Sequence, residues 1–254
     1  TTPGNRCFDV AYESQSGRGM VVYGTNGPIP QYCIWNGTNW IGPAAIANIT
    51  NRYMSGRGAM TNRWIRLVSD PRTNSNQIML LARWSSNAVN YSSVMLWTNS
   101  AVWGALTNLE TNCASQIASD TMDAAYSTNN RAVVVYINGA TAAARRMPKY
   151  RTWNGTVWSS ELSMINLPTA GVQPRWIRVE SNPNGTNAFV AILDSGATAR
   201  LSGMHWTGAA WSGAWLISAV ALNTGLYRDF DIAWGKQTNA LMAVYALSAQ
   251  TYRT

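Results

Sequence analysis

One unit recurs along this chain. Phe8-Asp9-Val10-Ala11-Tyr12 returns as Met122-Asp123-Ala124-Ala125-Tyr126, and again as Phe230-Asp231-Ile232-Ala233-Trp234. Between these copies stands a second version, Arg63-Trp64-Ile65-Arg66-Leu67-Val68 and Arg175-Trp176-Ile177-Arg178-Val179-Glu180. Aligning Asp9, Arg66, Asp123, Arg178 and Asp231 spaces them 57, 57, 55 and 53 residues apart. A near-even period of this length means stacked supersecondary units, each unable to bury its apolar face alone. Units are expected to start near residues 6, 63, 120, 175 and 228.

Each start leads through a polar turn to a short apolar run. The runs are Met20 to Tyr23, Ile78 to Leu81, Ala132 to Tyr136, Phe189 to Leu193 and Leu241 to Tyr245. They are continuous and rich in β-branched or aromatic residues, which predicts strands buried on both faces. A tryptophan hairpin follows. Trp35-Asn36-Gly37-Thr38-Asn39-Trp40 is matched by Trp153-Asn154-Gly155-Thr156-Val157-Trp158. Looser copies run from Trp97 to Trp103 and from Trp206 to Trp211. Asn-Gly supplies the positive φ that a tight turn needs, and Trp on both arms can pack across it. A fourth, looser segment closes the unit. The best helix candidate, Ala140 to Arg146, is explained equally well as a long hairpin loop.

The expected fold is therefore all-β: a β-propeller-like array of about five four-stranded antiparallel sheets in a single domain, 1–254. The last unit is incomplete by this reading, ending before its tryptophan hairpin. Thr1 to Asn5 and Ala249 to Thr254 are then expected at a subunit or repeat boundary, ordered by strand pairing. The pattern of Phe8 to Tyr12, Gly17 to Gly24 and Trp35 to Trp40 resembles repeats of large bacterial surface proteins. It is also similar to tryptophan-rich lectin-type β-propellers, which implies sugar pockets between sheets. Sialidase-type propellers are a further relative in shape, faintly echoed by Ser181-Asn182-Pro183-Asn184-Gly185.

Charged residues make up only 12% of the chain, so Asn, Thr and Ser must carry the surface, as is common on secreted β proteins. Net charge is +8, mostly from scattered arginines. Scatter argues against nucleic-acid binding and suits an anionic polysaccharide or envelope surface. No apolar run approaches the length of a membrane-spanning helix. Cys7 and Cys33 fall in one repeat and could bridge, leaving Cys113 free. No C-x-x-C motif is present, and one histidine, His205, cannot build a multi-histidine metal site. No metal or other cofactor is expected.

Two residue sets stand out. Asp9, Arg66, Asp123, Arg178 and Asp231 alternate in charge at one aligned position, which predicts a structural ladder of ion pairs between neighbouring first strands. Recurrence in every second unit argues for packing over catalysis. Trp35, Trp40, Trp153, Trp158, Trp206 and Trp211 are the candidate ligand-binding residues, since aromatic faces stack on sugars. With one histidine and no Ser-His-Asp arrangement, no catalysis is expected. The leading expectation is a non-catalytic, extracellular or cell-surface structural protein. It would be part of a fibre, sheath or adhesin, self-associating or continuing into a longer repeat chain. The alternative is a carbohydrate-binding, lectin-like propeller, with polysaccharide or glycan as partner. A glycosidase-like propeller comes third.

Overall fold

In a computed structural model of the chain, residues 6–25, 27–46, 49, 61–86, 89–114, 120–218, 222 and 228–247 are described. The segments Thr1 to Asn5 and Ala249 to Thr254, and the side chain of Cys113, lie outside them. The chain divides into two compact units. Unit 1 comprises residues 1–117 with 128–130, and unit 2 comprises 118–127 with 131–254.

Unit 1 contains two antiparallel sheets of four strands, each in sequence order. Sheet 1 is β1 (Phe8–Tyr12), β2 (Gly19–Tyr23), β3 (Gln31–Trp35) and β4 (Trp40–Ala45). Sheet 2 is β5 (Thr61–Ser69), β6 (Ile78–Ser86), β7 (Val89–Trp97) and β8 (Thr107–Ala114). One face of each packs on the other. Val22, Leu67, Ile78, Leu80, Trp84 and Met95 form the centre of that core. Each such aliphatic side chain contributes about 1.5–3 kcal/mol when removed from water. The outer face of β1 keeps Phe8, Val10 and Tyr12 exposed, so its burial alternates residue by residue.

Unit 2 contains three sheets. Sheet 3 is β9 (Met122–Tyr126), β10 (Ala132–Tyr136), β11 (Lys149–Trp153) and β12 (Leu162–Ser163). Sheet 4 is β13 (Pro174–Ser181), β14 (Ala188–Asp194), β15 (Leu201–Trp206) and β16 (Trp215–Ser218). Sheet 5 has two strands among the described residues, β17 (Phe230–Trp234) and β18 (Leu241–Tyr245). The apolar runs β10 and β14 are buried at every position, as continuous hydrophobicity predicts. The run in β18 differs: Met242 and Val244 are exposed, because among the described residues this strand pairs with β17 alone. Ala140 to Arg146 forms only a 3₁₀ turn at Ala144–Arg146.

The register places the five aligned residues at the same rung of their sheets. Asp9 pairs with Val22, Arg66 with Leu81, Asp123 with Val135, Arg178 with Ala191 and Asp231 with Val244. The tryptophan hairpins close as the sequence requires. Gly37 and Gly155 take φ of +100° and +102°. Asn36 and Asn154 each accept two backbone N–H bonds across the turn, at 2.8–3.0 Å. In the looser copy the Thr207 hydroxyl accepts one from Ala210 N, at 3.2 Å.

Candidate functional site

Sheets 3 and 4 of unit 2 enclose a cavity of about 190 Å³. Tyr150 and Thr152, two residues apart on β11, share a strand face and form one wall. Trp206, at the end of β15, forms the other. Its ring centroid lies 5.6 Å from Tyr150 and 5.3 Å from Trp211, edge-on to the first and tilted to the second. Such arrangements suit the ring quadrupoles and hold the aromatic walls in place. Trp153 and Asn154, opening the next hairpin, also line the cavity. Gly208 also lines the cavity. Its φ is +96°, and a Cβ there would stand 3.0 Å from the Thr186 hydroxyl.

Ser127 and Arg131 complete the site from the β9–β10 turn. The Ser127 hydroxyl donates to the Arg131 carbonyl at 3.0 Å. The Arg131 guanidinium has no ion-pair or hydrogen-bond partner among the described residues, and Arg131 is exposed. The indole N–H of Trp206 has no hydrogen-bond partner among the described residues either. Burial pushes the Tyr150 phenol up, so it remains a protonated donor through the neutral range.

Unit 1 repeats this cage between sheets 1 and 2 with one change. Tyr32 stands edge-on to Trp97 and Trp103, at centroid distances of 5.5 and 5.7 Å. The position of Ser127 is taken by Glu13 and that of Arg131 by Arg18. In each unit the first residue's N–H bonds the second's carbonyl, one rung beyond the strand pair. Glu13 is 2% exposed. Its carboxylate accepts from Arg18 Nε at 2.7 Å, Arg18 Nη2 at 2.9 Å and Trp97 Nε1 at 2.7 Å, with Ser16 as a further donor. Burial alone would raise its pKa. The donors from Arg18, Ser16 and Trp97 outweigh burial and hold it below the ordinary glutamate value.

The aligned charges gather on the first strands. In unit 1, Asp9 lies 3.6 Å from Arg66 and also pairs with Arg6. In unit 2, Arg178 reaches Asp123 at 3.0 Å and Asp231 at 2.9 Å. Glu180 is a third carboxylate on Arg178. Arginine and glutamate at i and i+2 share a strand face, so Arg178-x-Glu180 was a readable signal for it. The aspartates also do something that charge alternation does not announce. Asp9 Oδ2 accepts the backbone N–H of Leu67 at 2.8 Å, and Asp123 Oδ2 that of Val179 at 2.9 Å. Each therefore ties its own first strand to the backbone of the next one. Burial would lower the pKa of Arg178, but Asp123, Glu180 and Asp231 drive it upward. Burial would raise Asp231, and Arg178 and Arg228 outweigh it, so Asp231 titrates below the usual carboxylate range.

Of the six candidate tryptophans, Trp153 and Trp206 line the cavity. Trp158 and Trp211 back them, with centroid distances of 5.3 Å in both pairs. Trp35 and Trp40 pack on each other in a tilted arrangement at 5.6 Å in unit 1, with Trp40 57% exposed. Tyr150, Ser127 and Arg131 were missed from sequence. Their signal lay in alignment: tyrosine recurs at Tyr32 and Tyr150, and arginine at Arg18 and Arg131, once per two sheets. His205 is half-buried beside Asn187, with Nε2 3.1 Å from Asn187 Nδ2. The structure records no disulfide between Cys7 and Cys33, the bridge that their shared repeat left open. Cys33 faces Val21 across the β2–β3 pair, while Cys7 turns its sulfur toward the Asn62 carbonyl at 3.6 Å. Among the described residues no three His, Cys, Asp or Glu side chains gather to hold a metal. Among the described residues no helix is long and apolar enough to cross a membrane.

No family model matches the chain, and no curated protein matches it. Solved structures do. An α-L-arabinofuranosidase of Fusarium graminearum, bound to an iminosugar inhibitor, aligns over 96% of this chain and 76% of its own. The TM-score is 0.59 and the identity 9%. The fucose-specific lectin of Aleuria aurantia aligns over 97% and 80%, with a TM-score of 0.51 and 11% identity. The NanB sialidase of Streptococcus pneumoniae aligns over 91% and 54%, with a TM-score of 0.54 and 10% identity. The fold class is that of the β-propellers, shared by sugar-binding and sugar-cleaving proteins. The likeness lies with these, not with the repeats of bacterial surface proteins.

These neighbours overturn two expectations. A non-catalytic structural role in a fibre, sheath or adhesin has no counterpart among these solved structures, which are carbohydrate-active proteins. The exclusion of catalysis falls with it. A lone His205 is no argument against glycoside chemistry, which needs two carboxylates and no histidine. Recurrence was no argument either, because the aligned aspartates are not equivalent. Asp9 and Asp123 are buried, while the Asp231 side chain is 58% exposed.

Proposed function

We propose that this protein recognises carbohydrate through the cavity between sheets 3 and 4. The observation that carries the reading is a cavity about the size of one sugar ring, walled by aromatic side chains and edged by an arginine without a partner. Sugar rings offer C–H faces that pack on Tyr150 and Trp206, while their hydroxyls need planar donors and acceptors such as Arg131 and Asn154. The partner is then an extracellular polysaccharide or glycan, and a secreted or cell-surface location is the natural one for meeting it. Arabino-oligosaccharides and fucosylated glycans are the first probes, by analogy with the neighbours' ligands. In titration calorimetry, Trp206→Ala should abolish glycan binding while the far-UV spectrum stays that of the parent. Undiminished binding by that variant would remove the cavity from the account.

Hydrolysis is the second reading, favoured by one observation. Glu180 and Asp231 both sit on Arg178, with side chains 31% and 58% exposed. Two carboxylates on one arginine at the first strands could act on a glycosidic bond from a site distinct from the cavity. Release of reducing sugar from arabinan, lost in both Glu180→Gln and Asp231→Asn, is the result this reading requires.

A further inference from the structure

The two cages differ in where their carboxylate comes from. In unit 1 the protein supplies it: Glu13 bridges the Arg18 guanidinium and the Trp97 indole N–H. In unit 2 the same arginine and the same tryptophan are present, as Arg131 and Trp206. Their tyrosine neighbours match as well. The edge-on angles are 60° for Tyr32 on Trp97 and 63° for Tyr150 on Trp206. Serine stands where glutamate would be, with a hydroxyl in place of a methylene and a carboxylate, and a cavity opens at that point. Arg131 and Trp206, the counterparts of the Arg18 and Trp97 donors, line the cavity, and neither side-chain donor has a hydrogen-bond partner among the described residues.

We infer that the cavity selects an acidic sugar, a uronic acid residue of a glycan. Its carboxylate binds Arg131 and the Trp206 indole N–H as the Glu13 carboxylate binds Arg18 and Trp97. The inference rests on the proposed glycan recognition and adds its substrate class. Guanidinium and carboxylate match in shape and charge, and the pairing is stronger than a hydrogen bond to a hydroxyl. The net charge of +8 draws such a ligand in from a distance. The pyranose ring then stacks on the tyrosine and tryptophan walls.

The test compares short oligogalacturonides, oligoalginates and hyaluronan oligomers with the same oligosaccharides after reduction of their carboxyl groups to alcohols. Titration calorimetry at neutral pH should show at least one acidic member binding at least about tenfold tighter than its reduced form. Ser127→Glu supplies the carboxylate from within, and should weaken that acidic ligand by about tenfold or more. Arg131→Gln, which adds no bulk, should do the same, with an unchanged near-UV spectrum confirming the fold in each. Equal or tighter binding of the reduced forms overturns the acidic selectivity and leaves glycan recognition standing. Binding of a sulfated neutral galactan in place of every uronate overturns the carboxylate. Failure of every oligosaccharide, acidic or neutral, overturns both readings.

Discussion

Units 1 and 2 build the same object twice and finish it differently. Each sets a tyrosine from one sheet edge-on against a tryptophan pair of the next, and each uses a buried aspartate to hold the following first strand by its backbone N–H. In unit 1 the cage is closed by its own carboxylate, Glu13. In unit 2 it is open at Ser127. The shared parts, the tyrosine, the tryptophan and the arginine, frame each cage with closely matching geometry. The part that differs is where a ligand can act: of the two cage arginines, Arg18 is held by Glu13, and Arg131 has no side-chain partner among the described residues.

The largest expected effect tests the sameness. Asp9→Ala and Asp123→Ala each remove a buried carboxylate that serves an arginine and a backbone N–H. Each should cost on the order of 3–5 kcal/mol in urea unfolding, and by similar amounts. A difference between them much greater than about 2 kcal/mol would break the equivalence of the two units. Next comes Glu13→Ala, which strands Arg18 and the Trp97 N–H. Because Arg18 is partly exposed, roughly 2–3 kcal/mol is expected. Ser127→Ala, at the matching position, should cost about 1 kcal/mol or less.

Acid titration sharpens the same contrast. The folded pKa of Glu13 lies below its unfolded value of about 4.3. Its contribution is therefore fully present above that value and lost as pH falls through the folded pKa. The stability gap between the parent and Glu13→Gln should persist at neutral pH and close in strong acid. A gap that is flat with pH would show that the Glu13 charge is not what matters. The smallest effect belongs to Asp231→Asn. Its side chain is more than half exposed, so its pairs with Arg178 and Arg228 are screened, and a loss of about 1 kcal/mol or less is expected.

Much of the scaffold was legible because strands and turns are local. A short continuous apolar run rich in β-branched residues, such as Ala132 to Tyr136, favours a buried strand, and Asn-Gly between two tryptophans favours a tight turn. The alternation of Asp9, Arg66, Asp123, Arg178 and Asp231 was legible for the same reason, as a period along the chain. The cage was not. Tyr150 meets Trp206 across 56 residues of sequence, and neither residue is unusual in its own segment. The tryptophans were the visible half of the site, and they drew attention from Tyr150 and Arg131, which sit in plain strand and turn contexts. Charge alternation likewise pointed to ion pairs and hid the backbone N–H that each buried aspartate accepts.

By itself, then, the sequence determined the repeat, the strand order within each sheet, the turn geometry and the basic surface, since all follow from side-chain period and local backbone preference. Tertiary structure alone decided which aspartates are buried and which is exposed, that Cys7 and Cys33 stay apart, and that Glu13 closes one cage while Ser127 leaves the other open. Those outcomes depend on what packs against a strand from the neighbouring sheet. A residue's burial and its partners are properties of that packing, and no window of sequence shorter than two repeats contains them.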